Sequence, residues 1–247
     1  MEFADHFSGA APTYAAFRPS YPPAFISYLA ALSARHDLAW DAGTGSGQAA
    51  VLLGDHYTRV IATDASATQI AGARAHPHVT YRVGLDCESG LPDSTVDLVT
   101  VAQALHWFDR PRFYAEVRRV LKPGGIIAVW CYGRVHVEGA AGAIVDEFYR
   151  ERVVPYWPVE RHHVETLYKE IDFPFTEIAP PAWAMTATPT RGEFLGYLRS
   201  WSAVAQARKI AGIDLVTELE QRLASVWPSG SEHRRTVSWP IGLRVGK

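Results

Sequence analysis

Residues 38–48 read Leu38-Ala39-Trp40-Asp41-Ala42-Gly43-Thr44-Gly45-Ser46-Gly47-Gln48, and Val60-Ile61-Ala62-Thr63-Asp64 follows soon after. An apolar run ends in an acid, a glycine-rich turn opens a helix, and a second apolar run ends in another acid. α/β folds hold a nucleoside with this arrangement, at the carboxyl ends of adjacent parallel strands. The stretch therefore predicts an α/β fold and a small-molecule cofactor.

The turn narrows the ligand further. Glycines at 43, 45 and 47 leave no Cβ between main chain and ligand, so a flat or extended molecule can lie against the backbone. Asp64, at the tip of the second strand, is placed to accept two hydrogen bonds from a ribose diol, and charge-assisted bonds of this kind contribute roughly 1.5–3 kcal/mol each. Two cofactor types fit. Gly45-Ser46-Gly47-Gln48-Ala49-Ala50 matches the nicotinamide pattern G-x-G-x-x-A, in which a pyrophosphate sits on a helix N-terminus. Asp41 points the other way, because an anion just before the loop repels a pyrophosphate and suits a cationic amino acid group.

Outward from this stretch, strand and helix patterns alternate through Cys131. Strands are predicted near 38–42, 60–64, 79–83, 97–102 and 125–131, with helices near 23–34, 47–54, 67–75 and 111–120. Short connections of this kind imply a parallel sheet covered on both faces. After Tyr132 the character changes: residues 134–200 carry Trp157, Trp183, six prolines and several short helical patterns. This suits a cap over the carboxyl edge of the sheet, where ligands bind in open α/β folds. Residues 236–245 read as a final strand. One domain is expected over 1–247, with an N-terminal segment and helix over the cofactor site (1–35), a cofactor-binding core (36–133), a cap with connecting elements (134–235) and the last strand (236–247).

Composition restricts the partners. A chain of 247 residues can bury one large core, and a net charge of −2 gives no electrostatic footprint for nucleic acid or an anionic membrane. A small-molecule partner is favoured, with no nucleic acid and no membrane; oligomeric state is not readable. Met1-Glu2-Phe3-Ala4-Asp5-His6 lacks the basic region and apolar core of a signal peptide, and no run approaches the roughly 20 apolar residues of a bilayer span. The two cysteines, Cys87 and Cys131, read as reduced thiols of a cytoplasmic protein. No metal cluster and no activated serine or cysteine nucleophile is evident.

The string D-x-G-x-G-x-G from Asp41 to Gly47, with Asp64 closing the next strand, resembles motif I and its partner in class I S-adenosylmethionine-dependent methyltransferases. Leu85-Asp86-Cys87-Glu88-Ser89-Gly90-Leu91-Pro92 through Thr100 resembles the family's stretch from the adenine-contacting loop to the fourth strand. Leu121-Lys122-Pro123-Gly124-Gly125, then Ile126 to Trp130, resembles its turn into the fifth. Tyr14-Ala15-Ala16-Phe17-Arg18-Pro19-Ser20-Tyr21-Pro22, Ala102-Gln103-Ala104-Leu105-His106-Trp107-Phe108 and Ser200-Trp201-Ser202 are similar to the branch that includes the trans-aconitate methyltransferases. The resemblance implies a Rossmann-like, seven-stranded, mostly parallel sheet with helices on both faces and an inserted cap. It implies S-adenosyl-L-methionine as cofactor, S-adenosyl-L-homocysteine as product, and methyl transfer to a small molecule, an oxygen such as a carboxylate being the expected acceptor.

Residue by residue, the resemblance implies that Asp41 and the backbone at Gly43, Thr44 and Gly45, with Gly47 closing the loop, hold the amino acid end of the cofactor. Asp64 and Ala65 take the ribose and flank adenine, and Asp86 and Cys87 line the adenine edge. The family usually carries A-E-x-L-P where this chain has Glu88-Ser89-Gly90-Leu91-Pro92, and the extra residue leaves Asp86 and Glu88 as alternative adenine contacts. Ala102 and Gln103 pass near the sulfonium, and Tyr14 and Arg18 fold over the site from the N-terminal segment.

His106 and Trp107 follow strand four, where a side chain faces both methyl donor and acceptor. Histidine is a base near neutral pH, yet a carboxylate acceptor needs none, and positioning then supplies most of the catalysis. His106 is thus a candidate catalytic residue or a pocket wall, and Trp107 a wall or a π face for the sulfonium. Arg134, Arg161 and Arg199 are candidates to orient an acidic acceptor. His162 and His163 diverge on a helix and are expected to be solvated, and Trp130 is expected in the core. No Asp-Pro-Pro-Tyr or Asn-Pro-Pro-Tyr stretch is present, which argues against amino-methyltransferases acting on DNA bases. Three alternatives stay open: a nicotinamide oxidoreductase, a protein that binds S-adenosylmethionine without methyl transfer, and a methyltransferase acting on protein or RNA.

Overall fold

The computed structural model describes residues 20–247, so the expected roles of Tyr14 and Arg18 lie outside the described residues. Five parallel strands, β1 (Leu38–Ala42), β2 (Arg59–Asp64), β3 (Val79–Val83), β4 (Val96–Ala102) and β5 (Leu121–Tyr132), lie in the order β3-β2-β1-β4-β5. All of β1 and the first six residues of β4 are buried, which is why both are mostly apolar, interrupted by Asp41, Asp97 and Thr100, instead of alternating. Helix α1 (Pro23–Ala31) precedes β1, α2 (Gln48–Gly54) joins β1 to β2, α3 (Ala67–Ala71) joins β2 to β3, and α4 (Arg110–Val120) joins β4 to β5. The helix expected over 67–75 ends at Ala71 because Gly72 takes the C-cap.

Beyond β5 come β6 (His136–Val137), α5 (Ala140–Phe148), α6 (Arg161–Glu165), β7 (Glu177–Ile178), β8 (Trp183–Ala187), α7 (Arg191–Arg199), α8 (Ser202–Ala211), α9 (Leu215–Leu223) and β9 (Val237–Gly246). β9 is antiparallel to its neighbours. Ser238 pairs with both His136 and Thr186, and Gly246 with both Ile127 and Glu177, so β5 and β6 share one edge of β9 while β7 and β8 share the other. The nine hydrogen-bonded segments therefore make a sheet seven strands wide. Residues 177–187, expected within the cap, extend the sheet instead.

The two faces of the sheet bury separate cores. On one, Trp130 meets Phe25 edge-on at 5.3 Å and Tyr21 at 5.6 Å, beside residues of α5, α7, α8 and α9. On the other, Trp40 packs with Phe113 and Val117 of α4 and with Val164 and Tyr168. Trp130 is fully buried, as expected. At the amino edge, Asp97 Oδ2 accepts from the amides of Asp37 and Leu38, both at 2.9 Å, and its Oδ1 meets Lys122 Nζ at 2.7 Å. This buried carboxylate ties β1, β4 and β5 together at the end away from the glycine loop.

Candidate active site

The carboxyl ends of β1 and β2 lie side by side, and their acids organise the loop between them. Asp41 is completely buried; its Oδ2 accepts from Thr44 Oγ1 at 2.6 Å and its Oδ1 from Thr100 Oγ1 at 2.7 Å. Burial pushes its pKa up to about 6, the two hydroxyls pull it back, and the charge of Asp64 adds to the rise. Asp64 accepts from the amide of Gly45 at 2.8 Å through Oδ2 and from the amide of Ser66 at 2.8 Å through Oδ1. A carboxylate accepts about four hydrogen bonds, so two orienting amides are compatible with a ribose diol. Ala65 lies between Asp64 and Ser66, whose hydroxyl caps α3 on the amide of Gln69.

Two glycines of the loop are required for different reasons. Gly45 has φ +55°, and a Cβ there would project into open space. Gly47 has φ +82°, and its Cβ would lie 2.1 Å from Tyr81 Oη, which donates to the carbonyl of Arg74 at 2.7 Å. The first glycine leaves room for a ligand, and the second admits β3 against the start of α2.

In the loop after β3, Asp86 is half-buried and its Oδ2 is enclosed without a protein partner. Burial raises its pKa. Glu88 is exposed and pairs with Arg112 at 3.5 Å. The next residue, Ser89, donates through its amide at 2.9 Å and its hydroxyl at 2.5 Å to Glu116 of α4. Arg119 holds Glu116 in turn and, with Ser89, keeps its pKa down to about 2. Cys87 is partly buried, and burial pushes its thiol up.

Beyond β4, Gln103 has φ +59°, its amide donates to the carbonyl of Trp130 at 2.8 Å, and its Oε1 accepts from the amide of Tyr132 at 2.8 Å. This joins the ends of β4 and β5 next to Ala102. A single 3₁₀ turn, Leu105–Trp107, then presents His106 and Trp107. His106 is buried, with Nδ1 2.8 Å from Tyr168 Oη. Burial pushes its pKa down to about 3, and Arg161, His163 and Arg110 lower it further. Tyr168 was not legible in the sequence, since it lies 62 residues from His106 and carries no motif.

The three arginines separate. Arg161 stacks on Trp157 at 4.5 Å and donates through Nε to Glu165 at 3.0 Å, which also accepts from the Tyr149 hydroxyl. Arg134 lies over Tyr149 at 5.6 Å and pairs with Asp146 at 3.5 Å. Arg199 pairs with Glu220 at 3.4 Å with its side chain 44% exposed, which places it on the surface. His162 is exposed and pairs with Glu170 at 2.7 Å. His163, expected to be solvated, is instead partly buried, with Nδ1 enclosed and without a protein partner, because its helix packs against the Leu105–Trp107 turn.

A family model described as a methyltransferase domain matches residues 40–129, from β1 into β5. The chain is 31% identical to an inferred methyltransferase of Dictyostelium discoideum over 252 residues, which cover 100% of this chain and 96% of that protein. The solved structure of an inferred type II methyltransferase from Anaeromyxobacter dehalogenans superposes with a TM-score of 0.88 at 40% identity, over 94% of this chain and 98% of that one. The chain belongs to the class I S-adenosylmethionine-dependent methyltransferases. This methyltransferase is also 37% identical over 173 residues to an uncharacterized methyltransferase of Mycobacterium bovis, 64% of this chain and 69% of that protein. Its cofactor is S-adenosylmethionine, so the dinucleotide reading of the glycine loop falls away. The residues present fit the group: the enclosed Oδ2 of Asp86 suits an amino group of adenine, and the open side of Gly45 admits a ligand against the backbone. No helix among the described residues is long and apolar enough to cross a membrane.

Proposed function

We propose that the enzyme methylates a small-molecule acceptor on an oxygen that carries no proton at neutral pH, a carboxylate being the best fit. The observation that carries this reading is the state of His106. It is the histidine nearest the end of β4, its Nδ1 is engaged by Tyr168, and burial among cationic neighbours holds its pKa down to about 3. A histidine so placed is a poor base for a hydroxyl acceptor. Arg161, stacked on Trp157 and near enough to His106 to depress its pKa, supplies positive charge for an anion. The likeness to the trans-aconitate branch supports the same acceptor class.

When bound, S-adenosylmethionine supplies a methyl carbon activated by a positively charged sulfur. In this reading Asp41 and the backbone of Gly43, Thr44 and Gly45 hold the cationic amino acid end, with Gly47 fixing the loop on Tyr81. Asp64 takes the ribose diol beside Ala65. Asp86 accepts from the adenine amino group with Cys87 alongside, and Glu88 faces solvent. Ala102 and Gln103 lie along the sulfur, and His106, Trp107 and Arg161 align the acceptor and exclude water, so orientation supplies most of the rate. The helical elements between β5 and β9, apart from the segments β6, β7 and β8 that join the sheet, serve as the acceptor-side cap of a single domain, and the enzyme works on metabolites in the cytoplasm without nucleic acid or membrane.

The test is turnover with matched probes, benzoate and benzyl alcohol, cinnamate and cinnamyl alcohol, with mass analysis of the products. Methyl esters with no ethers support the reading. Ethers, or N-methyl products from matched amines, would sink it.

A further inference from the structure

Leu167 and Tyr168 are consecutive non-glycine residues in the left-handed region, at φ +54° and +61°. Such residues are strained and persist only where the surroundings over-determine them. Three contacts do so here. Leu167 presses on β9, where a Cβ on Gly242 would come within 2.5 Å of it. Arg244 of β9 donates to the carbonyls of Tyr168 and Ile171 and stacks on Phe173 at 4.7 Å. The amide of Tyr168 donates to the carbonyl of His163 at 2.8 Å. The product of this strain is one placement: the fully buried Tyr168 hydroxyl, 2.8 Å from His106 Nδ1.

The direction of that hydrogen bond follows from what surrounds the oxygen. Among the described residues the one hydrogen-bond partner of this buried hydroxyl is His106 Nδ1, and a proton directed elsewhere would be unsatisfied, so its single proton points to Nδ1. The proton of neutral His106 then resides on Nε2, which has no protein partner among the described residues. The charged or titratable groups that face the imidazole are Arg161 and His163 from α6, Arg110 from α4 and Tyr168 itself. The cations among them oppose an imidazolium.

We infer that Tyr168 is a positioning residue that locks His106 as the Nε2–H tautomer, making it a fixed hydrogen-bond donor on the acceptor side of the site. This rests on the acceptor reading above and deepens it: a donor orients an oxygen that has no proton to lose, and a base is not needed. Arg244 and Gly242 act one step further back, by holding the turn that carries Tyr168.

The direct readout is the tautomer, taken by long-range ¹H–¹⁵N correlation on the full-length enzyme labelled with ¹⁵N-histidine, with and without S-adenosylhomocysteine. Wild-type His106 is expected to show a protonated Nε2 and an unprotonated Nδ1, unchanged between about pH 5 and about pH 8. Tyr168→Phe, which deletes one oxygen, is expected to show a tautomer mixture, and Gly242→Ala to show the same mixture with the hydroxyl intact. A protonated Nδ1, or an imidazolium appearing near neutral pH in the wild type, would overturn the inference. So would an unchanged tautomer in Tyr168→Phe at wild-type melting temperature.

With an acceptor probe that gives a methyl ester, Tyr168→Phe should lower kcat by about tenfold while leaving KM for S-adenosylmethionine within about twofold. His106→Gln, which carries an N–H donor at similar reach, should keep more activity than His106→Ala. Equal loss in the two would contradict the donor role. The spectrum needs no acceptor, so a failure of the carboxylate reading and a failure of the tautomer lock are told apart.

Discussion

Asp41 shows what a single buried acid can do to a binding site. Its pKa lies at about 6, above the usual carboxylate value near 4, because burial outweighs the two threonine hydroxyls. The folded enzyme thus holds this proton more tightly than the unfolded chain does. Its contribution to stability is greatest below the unfolded value and is lost as pH rises through the folded one, by about 3 kcal/mol for a shift of this size. A cationic amino acid group favours the ionised form, so affinity for S-adenosylmethionine should rise by up to about tenfold from pH 5 to pH 7.5. Asp41→Asn should flatten that profile and raise the melting temperature of the ligand-free enzyme at pH 8, and calorimetry across pH checks both. Asp86 and Glu88 provide a second contrast: Asp86→Ala should weaken S-adenosylhomocysteine binding by about tenfold, and the exposed Glu88→Ala by no more than about twofold. The sequence identified both acids but not the choice between them. The structure encloses Asp86 and leaves Glu88 exposed, with the following Ser89 tied to Glu116, 27 residues away on α4, a contact that no local pattern announces. The Tyr168 contact with His106 was hidden for the same reason, since neither Leu167 nor Tyr168 is a residue type that announces a left-handed turn.

At the scale of elements, the glycine loop separates folding from binding. Gly45→Ala meets no atom of the protein, so it should cost only the backbone strain, on the order of 1 kcal/mol, while losing most affinity for S-adenosylhomocysteine. Gly47→Ala drives a Cβ into Tyr81 as well, so its melting temperature should fall further, and Tyr81→Ala should recover part of that loss. Thermal melts with and without ligand distinguish the two. Strands β1, β2, β4 and β5 were legible because their burial on both faces leaves mostly apolar stretches. β5 starts earlier than its apolar run: the positive φ of Gly124 and a register shift let Leu121 pair with Val96. β7 and β8 were missed because they are two and five residues long and are separated by Pro180 and Pro181. Only the neighbouring β9 gives them an edge to pair with.

Across the molecule, the two ends of the sheet are built for different tasks. The amino edge is tied by Asp97, which is buried with Lys122 and the amides of Asp37 and Leu38. Asp97→Ala should destabilise the fold by roughly 3 kcal/mol and leave the affinity of the folded fraction for S-adenosylhomocysteine unchanged, as denaturant titration and calorimetry would show. The carboxyl edge instead carries most of the exceptions to good folding practice: a buried acid near neutral pKa, an enclosed carboxylate oxygen without a partner, and left-handed Gln103, Leu167 and Tyr168, with left-handed Ser94 lying at the amino edge. Their concentration at one edge is what ties the fold to the chemistry. The central claim, that Asp64 and the loop it orients form the cofactor site, is tested most directly by calorimetric titration of wild type and Asp64→Ala with S-adenosylhomocysteine. The account predicts micromolar binding by the wild type, weakened at least about tenfold by the substitution. Equal affinity in the two proteins, with Asp64→Ala folded, would contradict it.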